Sequence, residues 1–409
     1  MKRLEIIRDP IEVGLDPQRL EHVRSYFDSY VAKRRLSGWL VTVARGGDVV
    51  WVGSGGHHDR ERKLVVTDDT IWRLYSMTKP LTSIAAMMLY EEGHFDLNAD
   101  VGRWLEDFRE PRVYVSGPAT SPVTVPAAGP VRVHHLLSHT SGLTYGFQNV
   151  HPIDAIYRAK GYDLVYPENV QLTEAVHDWC STPLQFQPGT AWNYSVATDV
   201  LGRLIEIWSG QQLDDFFRER ILDPLAMFDT DWYCPEEKQD RLAMLYVPLQ
   251  GESIPYLDLA KAAHEKPAIL AGGGGLVSTA HDYQRFMTML LNGGELDGVR
   301  YVSRRTLDLM TQNHLPENRD LADFAVDSFS EVGQAGVGFG LGFSVVIDQV
   351  RNRSLVSQGS YAWGGAASTY FWVDPLEELT IGLYTQLLPS WTYPIRRDLQ
   401  QLVYSSLTE

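Results

Sequence analysis

From Gly38 to Gly56 the chain reads GWLVTVARGGDVVWVGSGG, with Val, Leu and Trp in short runs on either side of Gly46-Gly47-Asp48. There is no helical period in this stretch, and the glycines sit where a tight turn needs them, so it predicts two strands of a hairpin. Further along, Leu81, Ile84, Ala85, Met88 and Leu89 recur at helical spacing and Gly93 supplies a stop, which predicts a helix from about Ser76 to Glu92 with Ser76 as its first residue or N-cap. From about Leu81 to Arg220 helical periods alternate with long loops, as in TDVLGRLIEIWSG and QLDDFFRERIL. The segment AGGGGLVSTAHDYQRFMTMLLNGG then reads as a glycine loop running into a capped helix. After it come GLGFSVVID, SLVSQGS, STYFWVDP and ELTIGLYTQ, short β-branched or aromatic runs that predict an antiparallel meander. The last periodic segment, IRRDLQQLVYSSL, predicts an amphipathic helix.

Strands near both ends with helices between them predict an α/β (α+β) fold. An antiparallel sheet flanked by helices is assembled from residues 1–80 and 270–409, and a mainly helical domain, 81–269, is inserted between them. Sites commonly form in the cleft between two such parts. The proline-rich patch SGPATSPVTVPAAGP is expected to be a surface loop, and no internal repeat is evident.

The length of 409 residues, with 44% hydrophobic and 22% charged positions, is ordinary for a globular chain. The formal net charge of -16 argues against nucleic acid or an anionic membrane as partner, because either would be repelled over most of the surface. A small molecule is the better expectation. Cys180 and Cys234 lack the spacing of a disulfide framework or zinc site and are expected to be reduced thiols. Charges interrupt the N-terminal stretch MKRLEIIRDPIEVGL where a signal peptide would be apolar, and no apolar run reaches the length of a membrane span. The expectation is a cytoplasmic protein.

Chemistry enters at Ser76-Met77-Thr78-Lys79. In the first turn of a helix, positions three apart share a face, so the Ser76 hydroxyl and the Lys79 amine can meet. Burial would disfavour the ammonium and leave an amine able to take the serine proton. Backbone N–H groups of the turn can hold an oxyanion. Pro80 runs against this, since it biases Lys79 away from helical angles. A serine three before a lysine also arises by chance in roughly one chain in three, so the tetrapeptide alone does not decide. Two further stretches add to it. FQPGTAWNYSVATDVLGRLIE sets Tyr194 just ahead of an amphipathic helix, where its hydroxyl can carry a proton for a leaving group. SYAWGGAASTYFWVDP sets Trp363-Gly364-Gly365 at the entry to a strand, where glycine lets a ligand approach the backbone.

The order of S-x-x-K, HLLSHTSGL (135–143), QPGTAWNYSV, AGGGGLVST and a strand opening with Trp-Gly-Gly resembles the serine β-lactamase and penicillin-binding superfamily, over about residues 15 to 405. Within it the chain is most similar to family VIII carboxylesterases, the esterase branch related to class C β-lactamases. The resemblance implies a β-lactamase-like fold and a serine esterase without metal or cofactor. By the same resemblance Ser76 attacks the acyl carbonyl, Lys79 and Tyr194 share the base and acid roles, and the N–H groups of Ser76 and Ala366 form the oxyanion hole. Two departures stand out. The β-lactamases have Tyr-x-Asn where this chain has Tyr194-Ser195-Val196, and Lys-Thr-Gly where it has Trp363-Gly364-Gly365. An acylamino-binding amide and a carboxylate-binding cation are both missing, which points to short, uncharged acyl esters. No G-x-S-x-G occurs, so an α/β-hydrolase elbow is excluded.

Tyr145, Phe147, Trp192 and Tyr361 flank these motifs, either lining an acyl or alcohol pocket or belonging to the core. His135 and His139, four apart, could share a helix face, but no third ligand accompanies them and a structural role is expected. His57-His58, at a strand end, is expected to be solvated. Gly272 to Gly275 lacks the Lys-Ser/Thr of a phosphate loop and reads as close packing beside the cleft. Two other functions remain open beside hydrolysis: acyl transfer to an alcohol, or β-lactamase or DD-peptidase-like activity. A non-catalytic binder of the same fold is the alternative outside enzymes. The oligomeric state is not readable from the sequence.

Overall fold

Gly46 and Gly47 have φ of 62° and 89°. Two successive left-handed residues make the turn whose twist matches paired antiparallel strands, and they join β1 (Gly38–Arg45) to β2 (Asp48–Asp59). This computed structural model describes residues 4–326 and 333–408, so the first three residues of the N-terminal stretch fall outside it.

The hairpin lies toward one end of an eight-stranded sheet. Its other members are β3 (Leu64–Val65), β6 (Val337–Phe339), β7 (Ser344–Val346), β8 (Tyr361–Gly364), β9 (Tyr370–Asp374) and β10 (Leu379–Tyr384), in the order β6-β7-β8-β9-β10-β1-β2-β3. Every neighbouring pair is antiparallel. The seam between the two ends of the chain is β1 against β10, in register from Leu40 opposite Tyr384 to Arg45 opposite Leu379. A separate two-stranded ladder pairs β4 (Ile71–Arg73) with β5 (Val277–Thr279). It brings the segment before Ser76 beside the segment that follows the glycine run.

Because side chains alternate across a strand, the sheet feeds two cores. Trp39, Val41, Val43, Tyr370 and Trp372 face the terminal helices α1 (Pro17–Ala32) and α5 (Ile395–Tyr404). Asp16 caps α1 through the N–H groups of Gln18 and Arg19, and Pro17 occupies its first turn. Leu40, Tyr361, Trp363, Phe371 and Val373 face the larger core. That core is built with α2 (Thr78–Glu91), α3 (Ala197–Ser209) and α4 (Ala280–Leu291). Gly210, left-handed at φ 72°, stops α3, and Thr279 caps α4 by accepting from the Asp282 N–H.

Several expectations change. The run SLVSQGS (354–360) is not a strand, and the meander passes from β7 to β8 through a helical turn and a loop. The proline-rich patch is partly ordered: Val123–Pro126 pairs with Arg112–Ser116 in an exposed hairpin. β-branched residues at alternating positions made it a ribbon despite its prolines. The segment Arg218–Leu222 continues the preceding short helix as a π turn. His58 is buried, not solvated, with Nδ1 unpartnered, because β2 runs on through it to Asp59.

Candidate active site

Ser76 is not the N-cap of α2. It lies within a 3-10 turn, Tyr75–Met77, that runs directly into the helix at Thr78. Lys79 and Pro80 are the second and third residues of α2, a part of the helix whose N–H groups have no partner one turn back, so the proline removes no hydrogen bond and Lys79 stays helical. Tyr75 has φ 46°, a left-handed angle that is unfavourable for a bulky residue. Such angles persist only where the surroundings enforce them, and functional sites are where they gather. Here the turn is fixed by the Leu74 N–H bonded to the Leu276 carbonyl, 2.9 Å, and the Met77 carbonyl accepting from the Tyr283 hydroxyl, 2.9 Å.

Ser76 is 8% exposed and Lys79 2%. The Lys79 ammonium nitrogen is 3.5 Å from Ser76 Oγ and donates to the Gly273 carbonyl at 2.5 Å. It lies 4.4 Å from the centre of the Tyr194 ring and 5.2 Å from that of Tyr145. Three distant pieces of sequence thus meet: the S-x-x-K turn, the tyrosine ahead of α3, and the glycine run. Tyr194 is held through its carbonyl, which accepts from Gln148 Nε2 at 2.5 Å, and by stacking on Trp192.

Sequence reasoning missed Asp199, a fully buried carboxylate in the first turn of α3. It accepts from the Gly273 N–H at 2.9 Å and the Tyr145 hydroxyl at 3.3 Å, and the Tyr166 hydroxyl also reaches it. Burial raises its pKa, while the Lys79 charge and the Gly273 and Tyr145 donors pull it back down. The same Gly273 peptide segment therefore gives its N–H to Asp199 and its carbonyl to Lys79, linking the two charges through one residue. Glycine at 273 leaves room for the cluster: a Cβ there would stand 2.5 Å from Asp199 Oδ2 and 2.8 Å from the Tyr145 hydroxyl and would push them aside. The glycine run is close packing beside this cluster, as its sequence implied.

The strand side differs from its expected form. Trp363 and Gly364 end β8 instead of opening a strand, and Gly365 to Thr369 form the turn into β9. That turn approaches the serine closely. A Cβ on Gly365 would lie 2.1 Å from the Leu74 carbonyl, the Thr369 hydroxyl donates to that carbonyl at 3.3 Å, and Ala366 packs in a small cluster with Tyr75. Trp363 is 0% exposed, 5.5 Å from Tyr194 and edge-on to Phe339. It backs the tyrosine with a buried indole.

Of the other expected residues, Tyr145 and Phe147 stack on each other at 4.7 Å with Tyr145 reaching the cluster, and Trp192 is buried behind Tyr194. Tyr361 packs on Phe343, two residues before Trp363 on the same face of β8. His135 and His139 share no helix face, because the helix ends at Leu137 and His139 takes φ 55°. His135 Nδ1 accepts from the Arg132 N–H, and His139 bonds Ser195 Oγ and packs on Tyr194. Burial, and then the Lys79 charge, hold His139 well below its usual pKa, so it is neutral. Among the described residues no group of three or more His, Cys, Asp or Glu is arranged to hold a metal.

The family model described as Beta-lactamase matches residues 23–405. Esterase EstB of Burkholderia gladioli is 30% identical over 427 residues, covering 97% of this chain and 98% of its own length. The ML-236A carboxylate methylbutanoyltransferase of Penicillium citrinum is 27% identical, covering 93% and 92%. Among solved structures, EstCE1, described as a hydrolase with promiscuous acyltransferase activity, superposes with a TM-score of 0.79 at 25% identity, covering 95% of this chain and 98% of its own.

Proposed function

The chain belongs to the beta-lactamase family, and from that membership we propose that it is a serine esterase whose nucleophile is Ser76. The likeness to EstB over nearly the whole chain supports ester hydrolysis. The observation that carries the residue assignment is the Lys79 nitrogen 3.5 Å from Ser76 Oγ, both residues buried, with the lysine nitrogen 4.4 Å from the centre of the Tyr194 ring.

In this reading Ser76 Oγ adds to the acyl carbonyl and passes its proton to the Lys79-Tyr194 pair. The tetrahedral oxyanion is held by the backbone N–H groups of Ser76 and Ala366. The pair then protonates the departing alcohol, leaving an acyl-enzyme, and in the second half it deprotonates the water that releases the acid. Tyr145, Phe147 and Trp192 shape the acyl or alcohol side; Trp363, with Gly364 and Gly365, shapes the strand side. Short, uncharged acyl groups suit a site with no cation at Trp363 and no amide at Val196, both of them buried. The assignment to family VIII carboxylesterases rests on the S-x-x-K, Tyr194 and Trp-Gly-Gly set. Two free, buried cysteines, Cys180 and Cys234, support a reducing, cytoplasmic setting.

A second reading, acyl transfer to an alcohol, is favoured by the names borne by the Penicillium citrinum relative and by EstCE1. The same residues would serve it, with an alcohol in place of water. Nitrophenyl esters of increasing chain length, assayed with and without an alcohol acceptor and beside nitrocefin, test both. Hydrolysis of short esters without acceptor is expected; turnover that requires an acceptor would move the assignment to transfer.

A further inference from the structure

The turn that carries Ala366 is held from the far side of the sheet. Arg396, in the first turn of α5, donates from one nitrogen, Nη2, to the Gly365 carbonyl at 2.6 Å and to the Thr369 carbonyl at 2.7 Å, the two ends of the turn. Its guanidinium lies 5.3 Å from the centre of the Tyr370 ring. A Cβ on Gly364 would stand 2.6 Å from that guanidinium, so the glycine before the turn makes room for the arginine.

The Gly365 oxygen and the Ala366 N–H belong to one peptide unit. In a trans peptide they point in opposite directions, so fixing the oxygen toward Arg396 aims the N–H away from it, toward the other side of the turn. A charged donor on the oxygen also polarises the peptide and strengthens its N–H as a donor. We propose that Arg396 is a positioning residue for the oxyanion hole, locking and polarising the Gly365-Ala366 peptide so that the Ala366 N–H meets the developing oxyanion without reorganisation. This rests on the reading of Ser76 as nucleophile and Ala366 as oxyanion donor. Within the turn the Ser368 N–H also bonds the Gly365 oxygen at 3.0 Å and the Gly365 N–H bonds the Thr369 oxygen at 2.9 Å; these neutral bonds close the turn on itself, whereas Arg396 adds the charged donor and ties both carbonyls to α5. The Thr369 and Ser368 hydroxyls bond elsewhere, to the Leu74 and Leu387 carbonyls.

Loss of a whole oxyanion donor costs about a hundred- to a thousandfold in kcat. A donor left in place but unlocked should cost less, about ten- to fiftyfold. The test compares Arg396→Ala, Arg396→Gln and Arg396→Lys with the wild type in kcat and KM for a nitrophenyl ester, in melting temperature, and in affinity for a boronic acid that forms a tetrahedral adduct on serine. Expected are a kcat about ten- to fiftyfold lower for Arg396→Ala with KM within about threefold, and boronate affinity reduced by a similar factor. Arg396→Lys, which keeps charge and a donor, should fall between Arg396→Ala and the wild type, and above Arg396→Gln. A merely structural role would lower the melting temperature and the active fraction while leaving the boronate affinity of the folded fraction unchanged. That outcome, or a kcat within twofold of wild type, overturns the proposal. If Arg396→Ala does not fold, Arg396→Lys and Arg396→Gln are read in its place, and near-wild-type kcat in both overturns it equally. Should wild-type protein form its covalent adduct away from Ser76, the esterase site itself is misassigned; an adduct on Ser76 with unaffected Arg396 variants removes the Arg396 role alone.

Discussion

The two sides of the candidate site are built on different principles. On the helical side, Ser76, Lys79, Tyr194 and Asp199 are side chains delivered by helix starts and buried against one another, with Gly273 bridging the two charges. On the strand side the proposed chemistry falls to the backbone: a turn of small residues packs against the Leu74 carbonyl, two residues before Ser76, and its own carbonyls are fastened by Arg396 from behind. Proton transfer needs groups that can change charge, and burial with partners tunes them. Oxyanion stabilisation needs a fixed dipole, and a clamped peptide supplies one. The difference predicts that substitutions on one side should be strongly non-additive among themselves, while pairs across the two sides should come closer to adding.

The largest effect concerns what the strand side omits. A β-lactam carboxylate brought to the strand side would be desolvated without a cation there, since Trp363 is a buried indole and Arg396 is engaged with turn carbonyls. That costs several kcal/mol, so kcat/KM for short nitrophenyl esters should exceed that for penicillins by on the order of a thousandfold; equal values would refute the account of Trp363. Next, Lys79→Ala and Tyr194→Phe should each lower kcat by at least about a hundredfold with smaller changes in KM, and the double variant should lose far less than the product. Steady-state kinetics on folded protein checks this, and a near-wild-type Tyr194→Phe would make the tyrosine structural.

Gly365→Ala and Gly273→Ala sharpen the contrast at smaller scale. The added methyl of the first meets a backbone carbonyl, Leu74, that cannot move without shifting the turn before Ser76, whereas the second meets the Asp199 and Tyr145 side chains. Gly365→Ala should cost roughly 2 to 3 kcal/mol in stability by urea unfolding and Gly273→Ala less, the order following how far each neighbour can yield. The smallest effect is on pH. His134 is held down to about 4 and His135 to about 3, in each case by burial first and then by neighbouring positive charge. Below pH 6.5 the unfolded chain binds protons that these residues refuse when folded, so their contribution to stability is complete above that pH and is lost as pH falls toward 4 and 3, an effect that solvent screening of the partly exposed His134 keeps small. His135→Gln should flatten the acid limb of melting temperature against pH.

Much of this was readable in the chain because it is local. The hairpin follows from Gly46-Gly47, β9 and β10 from runs of β-branched and aromatic residues, and the S-x-x-K face from the helical period of α2. Asp199 was not readable, since an acidic residue in a first helical turn is what the helix dipole favours anyway, and nothing nearby announces that Gly273 and Tyr145 will close over it. Arg396 is thirty-one residues from Gly365 on the opposite face of the sheet, and no local pattern joins them. Trp363 was found by its glycines, but its complete burial depends on strand parity, which places it on the same face as Tyr361 and behind Tyr194. That burial alters an otherwise natural experiment: Trp363→Lys would bury an ammonium between Tyr194 and Phe339, and is expected to destabilise the fold before it can recruit a β-lactam.

The most direct test of the central claim is intact-protein and peptide mass spectrometry after reaction with a phosphonate ester, on the wild type and on Ser76→Ala. The account predicts one adduct per chain on the peptide containing Ser76, ester hydrolysis lost in proportion to labelling, and neither labelling nor turnover in a folded Ser76→Ala variant. Complete inactivation with the adduct on another residue, or a folded Ser76→Ala retaining a tenth of wild-type turnover, would contradict it.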